Sequence, residues 1–184
     1  MPNRRKISKF LSYVLRHNPG KIGLSLDPAG WAPVPELLKG ARKNGIHIGL
    51  DDVKDVIAQS DKTRFTISED DQYIRATYGH SIDVDLDYEP LEPPATLYHG
   101  TARRNIEPIR KNGIRSQNRQ FVHLSQDTKS AKKVGSRHGK PEVLTISAKQ
   151  MKEDGFTFYQ SDAGIWLTKK VPASYITFPE DINR

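Results

Sequence analysis

An arginine and a histidine stand side by side where a predicted helix ends. Arg16 and His17 follow an apolar helical stripe, and the helix-stopping pair Asn18-Pro19 comes directly after them. Arginine presents a planar fork of donors that matches phosphate oxygens, and histidine titrates near neutral pH. Cations also stabilise the negative end of a helix dipole, which is the simpler interpretation. The Asn-Pro stop favours a functional one, because it predicts that both side chains are held at a fixed, exposed corner.

Two predicted strands each bring a histidine close to a hydroxyl group. His99 is followed by Gly100 and Thr101, and His123 precedes Ser125 by two positions. A glycine at such a place lets another molecule approach the backbone. A lone strand histidine is more often structural than functional. The repeated pair indicates that this half of the chain binds a nucleotide, while the half containing Arg16 binds a phosphate.

Two more arginines lie next to predicted strands. Arg64 precedes Phe65 and is expected to project opposite to it, toward solvent, and Arg119 lies in a polar loop before the strand that contains Val122. Taken alone, each would be interpreted as an ordinary solvated arginine. The six histidines occur without any cysteine and without a close His/carboxylate cluster, so we expect no metal site.

Composition limits the class of protein. The 184 residues carry a formal net charge of +7, which makes an anionic partner plausible, and the 35% hydrophobic content arrives in periodic segments. The absence of cysteine excludes disulfides and cysteine nucleophiles and fits a reducing compartment. No apolar run approaches the ~20 residues that span a bilayer, and Met1 to Lys9 does not resemble a signal peptide. We expect a soluble cytoplasmic protein that makes no membrane contact.

The charge pattern predicts two domains joined by a linker. Residues 1–82 carry 13 basic and 9 acidic side chains, residues 83–95 carry 0 and 5, and residues 96–184 carry 16 and 8. The middle segment also contains three prolines, so we expect it to be extended. The predicted domains are therefore 1–82 and 96–184, with an acidic linker at 83–95.

The first half has the pattern helix, helix, helix, hairpin. A buried stripe at helical spacing predicts the first helix, and it consists of Ile7, Phe10, Leu11, Val14 and Leu15. Pro35 opens a second helix that Asn44-Gly45 closes, and Asp51 or Asp52 caps a third. Strands around Phe65–Ile67 and Tyr73–Ala76 then form a hairpin. Three helices and a hairpin predict a winged helix, commonly a nucleic-acid module.

The second half is mostly strands, in an irregular order with helices. Predicted strands are 96–99, 121–124, 143–147, 156–159, 165–168 and 175–178, and predicted helices are 105–111, 128–136 and 148–153. This order favours an α+β domain over a doubly wound one. The chain contains no Gly-rich dinucleotide fingerprint or phosphate loop.

Trp31, Phe65, Trp166 and Phe178 are expected in the cores. Lys132-Lys133 and Arg137-His138 are interpreted first as a solvated basic face, and second as a phosphate-contacting surface.

Nine motifs in this order resemble the RNA 2′-phosphotransferase family, the KptA-type enzymes related to the tRNA 2′-phosphotransferase of fungal tRNA splicing. The resemblance covers nearly the whole chain. Any one motif is weak alone, but their order is highly specific, and they lie in Ser8–His17, Gly30-Trp31, Arg64-Phe65, Ile74–Ala76, Gly79–Ser81, Leu97–Thr101, Val122–Ser125, Lys133–Gly139 and Gly164–Leu167. It implies an N-terminal winged-helix RNA lobe and a C-terminal lobe with the ADP-ribosyltransferase fold.

By this resemblance, the catalytic Arg-His-Arg-Arg set of the family falls on Arg16, His17, Arg64 and Arg119. The histidine of the family's His-Gly-Thr motif falls on His99, followed by Gly100 and Thr101, and the second histidine of its NAD site falls on His123, close to Ser125. The chain has Ile165 where many toxin-type ADP-ribosyltransferases have a catalytic Glu, as the family does. It departs from the family at Tyr78, usually Gln, and at Phe121, where His or Tyr is common.

The implied reaction has two steps and uses NAD as co-substrate. An internal RNA 2′-phosphate attacks the nicotinamide ribose, and the neighbouring ribose hydroxyl then attacks phosphorus. The products are 2′-OH RNA, ADP-ribose 1″,2″-cyclic phosphate and nicotinamide, made by a monomeric enzyme without metal. Two alternatives stay open: an ADP-ribosyltransferase that modifies nucleic-acid phosphates without the second step, and a non-catalytic winged-helix regulator that binds nucleic acid.

Overall fold

The computed structural model describes residues 3–179, and the chain divides into two compact units, Met1–Asp87 and Tyr88–Arg184. The boundary between them falls inside the acidic segment 83–95. Both units combine helices with small antiparallel sheets, so the α+β class predicted from the sequence is confirmed. In the described part of the chain, no helix has the length and apolar character needed to cross a bilayer.

Three α-helices and a three-stranded sheet form the first unit. The helices are α1 (Arg4–Arg16), α2 (Val34–Lys43) and α3 (Leu50–Ala58). The strands are β1 (Ala32–Pro33), β2 (Phe65–Ile67) and β3 (Tyr73–Ala76), hydrogen-bonded in the order β1-β3-β2. The predicted three helices and hairpin are therefore confirmed. A short 3-10 helix, Pro19–Ile22, follows α1. The sequence does not reveal β1, because two residues are too short to show the alternation of a strand.

The start of α3 differs from the prediction. Gly49, not Asp51 or Asp52, is the N-cap residue, and the Asp52 carboxylate accepts a hydrogen bond from the Gly49 N–H at 2.8 Å. Asp51 and Asp52 both lie in the first turn of the helix. A carboxylate there interacts favourably with the positive end of the helix dipole, so it stabilises the start without occupying the cap.

The core of the first unit joins the inner faces of the helices to the hairpin. Leu11, Leu15, Leu37 and Ile74 are fully buried, as is Phe65, which confirms the predicted stripe of α1 and the inward face of β2. Burying one such side chain contributes about 1.5–3 kcal/mol. Trp31 was expected in this core but is only half-buried. Its ring instead covers the Arg75 guanidinium, whose carbon lies 4.7 Å from the ring centroid.

The second unit contains eight strands and three α-helices in the described residues. The strands are β4 (Leu97–Ala102), β5 (Ile114–Arg115), β6 (Val122–Leu124), β7 (Pro141–Ile146), β8 (Tyr159–Gln160), β9 (Trp166–Thr168), β10 (Lys170–Val171) and β11 (Ile176–Thr177). The helices are α4 (Ile106–Asn112), α5 (Thr128–Gly135) and α6 (Ala148–Glu153), with 3-10 helices at Arg103–Asn105 and Ala173–Tyr175. All three predicted helices are confirmed.

Two antiparallel sheets meet at the strands that carry the predicted nucleotide residues. One has the order β11-β7-β4 and the other the order β6-β9-β8, while β5 and β10 form a separate pair. Tyr98 of β4 and Ser125, just after β6, exchange two backbone hydrogen bonds of 2.8 Å. This isolated bridge places β4 next to β6. His99 and His123 therefore come from adjacent strands.

One predicted strand is largely wrong. Residues 156–159 alternate apolar and polar positions, yet only Tyr159 of that range belongs to a strand, β8. Phe158 is fully buried in the core of the second unit, and the Phe156 ring packs edge-on against Tyr175 with centroids 5.5 Å apart. The alternation therefore reflects packing of an irregular segment. Trp166 and Phe178 lie in this core, as predicted.

Candidate active site

The last residues of α1 form the first part of the candidate site. Arg16 ends the helix and His17 is its C-cap residue, with its backbone N–H donating to the Tyr13 carbonyl at 3.0 Å. His17 is exposed, but Arg16 is half-buried, which corrects the expectation of an exposed corner for both side chains. The Arg16 guanidinium carbon lies 4.6 Å from the centroid of the Tyr78 ring and 5.6 Å from that of Phe65. Two aromatic faces therefore fix the direction of this arginine.

A short segment after the hairpin, Gly79–Ser81, holds the Arg16-His17 pair in place. Gly79 has φ +86°, and a Cβ at this position would lie 3.5 Å from an Arg16 Nη atom, so the backbone passes close to the guanidinium. The Ser81 N–H donates to the Arg16 carbonyl at 2.9 Å. The Ser81 hydroxyl lies 2.9 Å from His17 Nδ1 and 3.4 Å from that same carbonyl oxygen.

His80, in the middle of this segment, is 2% exposed and surrounded by cationic groups. Burial, together with smaller contributions from the charges of Arg16, His17 and Arg75, lowers its pKa to about 4. Among the described residues, neither ring nitrogen of His80 has a hydrogen-bond partner. The imidazole is consequently neutral at pH 7, because burial and the nearby guanidinium charges of Arg16 and Arg75 disfavour its protonated form.

Arg64 lies one residue before β2 and is partly buried, not solvent-facing as predicted. Its Nη2 is 3.0 Å from a carboxylate oxygen of Asp61, and its Nη1 donates to the Ser60 hydroxyl. That hydroxyl in turn donates to the Lys62 carbonyl at 2.6 Å. The turn before β2 thus orients the Arg64 guanidinium through two side-chain partners. The sequence pattern does not predict these two partners, because the alternation of a strand does not extend into the preceding turn.

In the second unit, a backbone contact links the two predicted histidines. His99 Nδ1 lies 3.1 Å from the His123 carbonyl oxygen. A carbonyl only accepts, so Nδ1 of His99 carries the proton and Nε2 remains an acceptor. Burial lowers the pKa of His99, and this hydrogen bond opposes the shift in part. His99 is thus a neutral imidazole with one fixed tautomer.

Arg119 joins the same group of residues. Its Nη1 donates to His123 Nδ1 at 2.9 Å, and its backbone N–H closes a turn onto the Ser116 carbonyl at 3.0 Å. Arginine cannot accept a hydrogen bond, so His123 Nδ1 is the unprotonated nitrogen of that ring. His99, His123 and Arg119 therefore form a connected set, and Ser125 is fixed next to it by its backbone bonds to Tyr98.

Gly100 and Thr101 serve packing within the unit, which corrects the reason given for the glycine. A Cβ on Gly100 would lie 1.6 Å from the Ala131 carbonyl oxygen, and one on Gly135 would lie 2.8 Å from the Thr101 carbonyl oxygen. The close neighbour of the Gly100 backbone is therefore α5, not a ligand. Thr101 is 5% exposed, and its hydroxyl accepts from the Asn105 side-chain amide at 3.1 Å.

Several contacting residues escaped the sequence-based selection. Arg16 and His17 are contacted or surrounded by Tyr78, His80 and Ser81. The feature of the sequence that indicates these three residues is the Gly-His-Ser motif with the aromatic residue before it. Phe121 packs against the rings of Tyr159 and Tyr88, with centroid distances of 5.6 and 6.1 Å.

Within residues 3–179, no group of three or more His, Asp or Glu side chains is placed to hold a metal ion.

Comparison with known proteins gives a consistent result. The family model described as "RNA 2′-phosphotransferase, Tpt1 / KptA family" matches residues 2–170. A protein of Agrobacterium fabrum is 54% identical over 174 residues, covering 95% of this chain and 94% of its own length. A protein of Acaryochloris marina is 50% identical, covering 93% of this chain and 94% of its own length. A protein of Burkholderia pseudomallei is 49% identical, covering 95% of this chain and 95% of its own length.

All three relatives carry the name "Probable RNA 2′-phosphotransferase". The matched region extends over parts of both units of the structure and includes every residue of the candidate site. The predicted family resemblance is confirmed: the chain belongs to the RNA 2′-phosphotransferase, Tpt1 / KptA family.

Proposed function

We propose that this protein removes an internal 2′-phosphate from RNA and uses NAD as co-substrate. Family membership supports the action on a 2′-phosphate of RNA. The proposed chemistry at the phosphate is supported by one observation: a neighbouring side chain holds the guanidinium group of each of the three selected arginines. Tyr78 covers Arg16, Asp61 and Ser60 bind Arg64, and His123 accepts from Arg119. Cations fixed in advance stabilise a changing phosphoryl charge without reorganising during the reaction.

In the proposed first step, an oxygen of the RNA 2′-phosphate forms a bond to the anomeric carbon of the nicotinamide ribose. The bond from that carbon to the pyridinium nitrogen breaks, and nicotinamide leaves as a neutral molecule with the bonding electrons. The nucleophile is already an anion and the leaving group is already activated, so this step needs alignment more than a strong base. Arg119 is assigned to the phosphate and to the NAD side.

In the proposed second step, the 2″-hydroxyl of the same ribose attacks phosphorus and the bond from phosphorus to the RNA 2′-oxygen breaks. The hydroxyl loses its proton, and the RNA oxygen gains one. The products are 2′-OH RNA and ADP-ribose 1″,2″-cyclic phosphate. Arg16 and Arg64 are assigned to the phosphoryl oxygens, whose charge changes during this step. His17 is assigned to proton transfer or to a phosphate contact.

The geometry around His17 gives it one preferred tautomer in this scheme. If the Ser81 hydroxyl donates to the Arg16 carbonyl, its oxygen accepts from His17 Nδ1–H. His17 Nε2 is then the unprotonated ring nitrogen, as a general base requires. The same contact fixes the plane of the ring, which limits the directions from which a proton can be taken.

The residues of the second unit suit a nucleotide substrate. His99 Nε2 is an acceptor for a hydroxyl or amide donor, and Arg119 supplies a positive charge for phosphate oxygens. His123 and Ser125 complete the proposed NAD-binding set. Gly100 and Thr101 remain in the proposal as residues that position His99 on β4, because α5 and Asn105 fill the space beside them.

We also assign the fold of each unit by this proposal. The helices and hairpin of the first unit fit a winged-helix RNA-binding lobe, and the sheets of the second fit an ADP-ribosyltransferase-like lobe that binds NAD. What supports this division is the placement of Arg16, His17 and Arg64 before the unit boundary, and of His99, His123 and Arg119 after it.

The experiment that tests the proposal uses a short RNA with one internal 2′-phosphate, NAD and a chelator such as EDTA. We expect loss of the 2′-phosphate together with stoichiometric release of nicotinamide. Release of nicotinamide with retention of an ADP-ribosylated RNA phosphate would show that the second step does not occur. Absence of both products would show a binding protein, and strict dependence on added magnesium or zinc would contradict the assigned role of the arginines.

A further inference from the structure

The charged side chains on the exposed face of α5 and of the turn that follows it are all basic. Ala131 and Gly135 of this helix are buried against β4, whereas Lys129, Lys132 and Lys133 are exposed. The chain after the helix continues the same character. We define the α5 basic surface by its seven exposed members, which are Arg104, Lys129, Lys132, Lys133, Arg137, His138 and Lys140.

The backbone brings the separate segments of this surface together. The Arg137 N–H donates to the Val134 carbonyl at 3.2 Å, which continues the helical direction for another half-turn. Arg104 belongs to a different segment, but one of its Nη atoms would lie only 3.4 Å from a Cβ on Gly139. The Arg103 N–H also donates to the Lys140 carbonyl at 2.9 Å. The surface is therefore continuous from α5 to the 3-10 helix after β4.

The two carboxylates nearest in sequence are engaged mainly by other groups, and only Asp127 also interacts with a member of the surface, Lys129. Asp127 is the N-cap of α5 and accepts from the Ser130 N–H at 2.7 Å and from the Ser130 hydroxyl at 2.8 Å. Glu142 forms an ion pair of 2.7 Å with Arg103. Between residues 126 and 142 these are the only acidic side chains. The surface thus keeps a strong excess of positive charge.

This arrangement does not favour the stability of the helix itself. Lys129 and Lys133 are four residues apart, and like charges at that spacing destabilise a helix. Lys129 also lies in the first turn, next to the positive end of the helix dipole, where α3 has Asp51 and Asp52 and α4 has Glu107. An anionic partner would relieve both effects, so the charge pattern is better explained by binding than by folding.

We propose that the α5 basic surface binds the phosphodiester backbone of RNA on one side of the 2′-phosphorylated nucleotide. This inference rests on the proposed function for the identity of the partner. Lysines act as point charges for single phosphates, and Arg104 and Arg137 can each grip one phosphate with two donors. A surface of this kind reads no bases, so it raises affinity for longer RNA regardless of sequence.

The test compares two substrates and two triple variants. The substrates are a 2′-phosphorylated dinucleotide and a single-stranded RNA of ~20 nucleotides with one internal 2′-phosphate. The first variant is Lys129→Gln/Lys132→Gln/Lys133→Gln. The second, Lys111→Gln/Lys149→Gln/Lys170→Gln, removes the same charge from exposed lysines on α4, α6 and β10. Binding is followed by fluorescence anisotropy between ~50 mM and ~500 mM salt, and turnover by nicotinamide release.

We expect the α5 variant to bind the long RNA about tenfold to a hundredfold more weakly at ~0.1 M salt. Its slope of log affinity against log salt should be smaller by up to about 2, because each single-strand phosphate contact contributes about 0.7. The control variant should stay close to wild type, and dinucleotide turnover should be unchanged in both variants. Equal affinities and slopes for the two variants would overturn the inference while leaving the proposed function intact.

Two other outcomes distinguish failure of RNA binding by the α5 basic surface from failure of the proposed function. A raised KM for NAD in the α5 variant, with unchanged RNA affinity, would assign the surface to NAD and overturn the inference. Failure of the wild-type protein to act on the dinucleotide would count against the proposed function. The salt slopes would still decide whether α5 binds RNA.

Discussion

His17 and Ser81 are joined by a side-chain contact, with Nδ1 of the imidazole 2.9 Å from the serine hydroxyl oxygen. The same serine donates its backbone N–H to the Arg16 carbonyl, so one residue fixes the end of α1 and orients the ring that follows it. Ser81 is exposed and contributes little to the core. Its importance therefore lies in the direction of the His17 ring.

Replacing Ser81 with Ala should lower kcat by about twofold to tenfold, because the variant loses a hydrogen bond of about 0.5–1.5 kcal/mol that orients His17. KM for NAD should stay unchanged, because NAD is assigned to the other unit. The midpoint temperature of thermal unfolding should change little. Steady-state kinetics on the 2′-phosphorylated RNA provide the measurement. Ser81→Thr, which keeps the hydroxyl, is the control, and an alanine variant with wild-type kcat would show that His17 needs no such partner.

Tyr78 supplies a second orienting contact in the first unit. Because its ring lies 4.6 Å from the Arg16 guanidinium carbon, replacing it with Leu should remove a cation–π contact of about 0.5–2 kcal/mol. The expected loss in kcat/KM for RNA is about twofold to thirtyfold. Tyr78→Phe keeps the ring face and should stay near wild type. A Phe variant as impaired as the Leu variant would assign the effect to the hydroxyl.

The elements of the fold were largely predictable because their patterns are local. The stripe of α1 and the alternation of β2 and β3 follow from side-chain periodicity, and both are confirmed. The two-residue strands β1, β5 and β10 were not predicted, since so short a segment carries no periodic signal. The strand predicted at 156–159 is wrong for a different reason. Its side chains alternate because they pack in an irregular segment, without the hydrogen bonds of a neighbouring strand.

The site was predictable as residue types but not as contacts. Arg16, His17 and Arg64 were selected from the sequence, yet the partners of Arg64, which are Asp61 and Ser60, depend on the shape of a turn. Gly100 was selected for a ligand approach, whereas its neighbour is the backbone of α5. Contacts of this kind arise between segments far apart in sequence, and no spacing rule describes them.

His99 and Ser125 should affect the use of NAD and not the affinity for RNA. We expect His99→Asn and Ser125→Ala to raise KM for NAD about tenfold or more, since each would lose a polar contact of the kind that contributes about 1.5 kcal/mol. Binding of the 2′-phosphorylated RNA, measured without NAD, should remain within about twofold. If either variant lost RNA affinity but kept its KM for NAD, the assignment of the two units would be reversed.

His80 should make the stability of the protein depend on pH. Its folded-state pKa of about 4 lies below the ordinary 6.5, so the unfolded chain binds a proton more readily between these values. The contribution of His80 is fully present above pH 6.5 and is lost as the pH falls toward 4. The difference corresponds to about 3 kcal/mol in the free energy of unfolding.

Urea unfolding between pH 4 and pH 8 measures this effect. In His80→Gln the free energy of unfolding should fall less steeply with decreasing pH, by up to about 1.4 kcal/mol per pH unit within the window. His47→Gln, which removes an exposed histidine of the same unit, is the control for the loss of a histidine. Identical slopes for wild type and His80→Gln would show that His80 does not stay neutral in the folded protein.

The two proposed chemical steps should respond differently to substitutions in the two units. Arg64 and His17 belong to the first unit and are assigned to the second step, where the phosphoryl charge changes. Arg64→Ala and His17→Ala should therefore let the ADP-ribosylated RNA intermediate accumulate, whereas Arg119→Ala should slow its formation as well. Loss of one transition-state contact costs about 2–4 kcal/mol, which is roughly a thirtyfold to nine-hundredfold loss in rate.

Single-turnover kinetics with labelled RNA can separate these effects, because substrate, intermediate and product are resolved as distinct bands. Asp61→Asn is the matched control for Arg64, since it removes the ion-pair partner but keeps the guanidinium and its contact with Ser60. This variant should slow the second step far less than Arg64→Ala. If Arg64→Ala and His17→Ala slowed both steps equally and no intermediate appeared, these residues would act on alignment of the phosphate throughout, and the division of roles between the steps would be wrong.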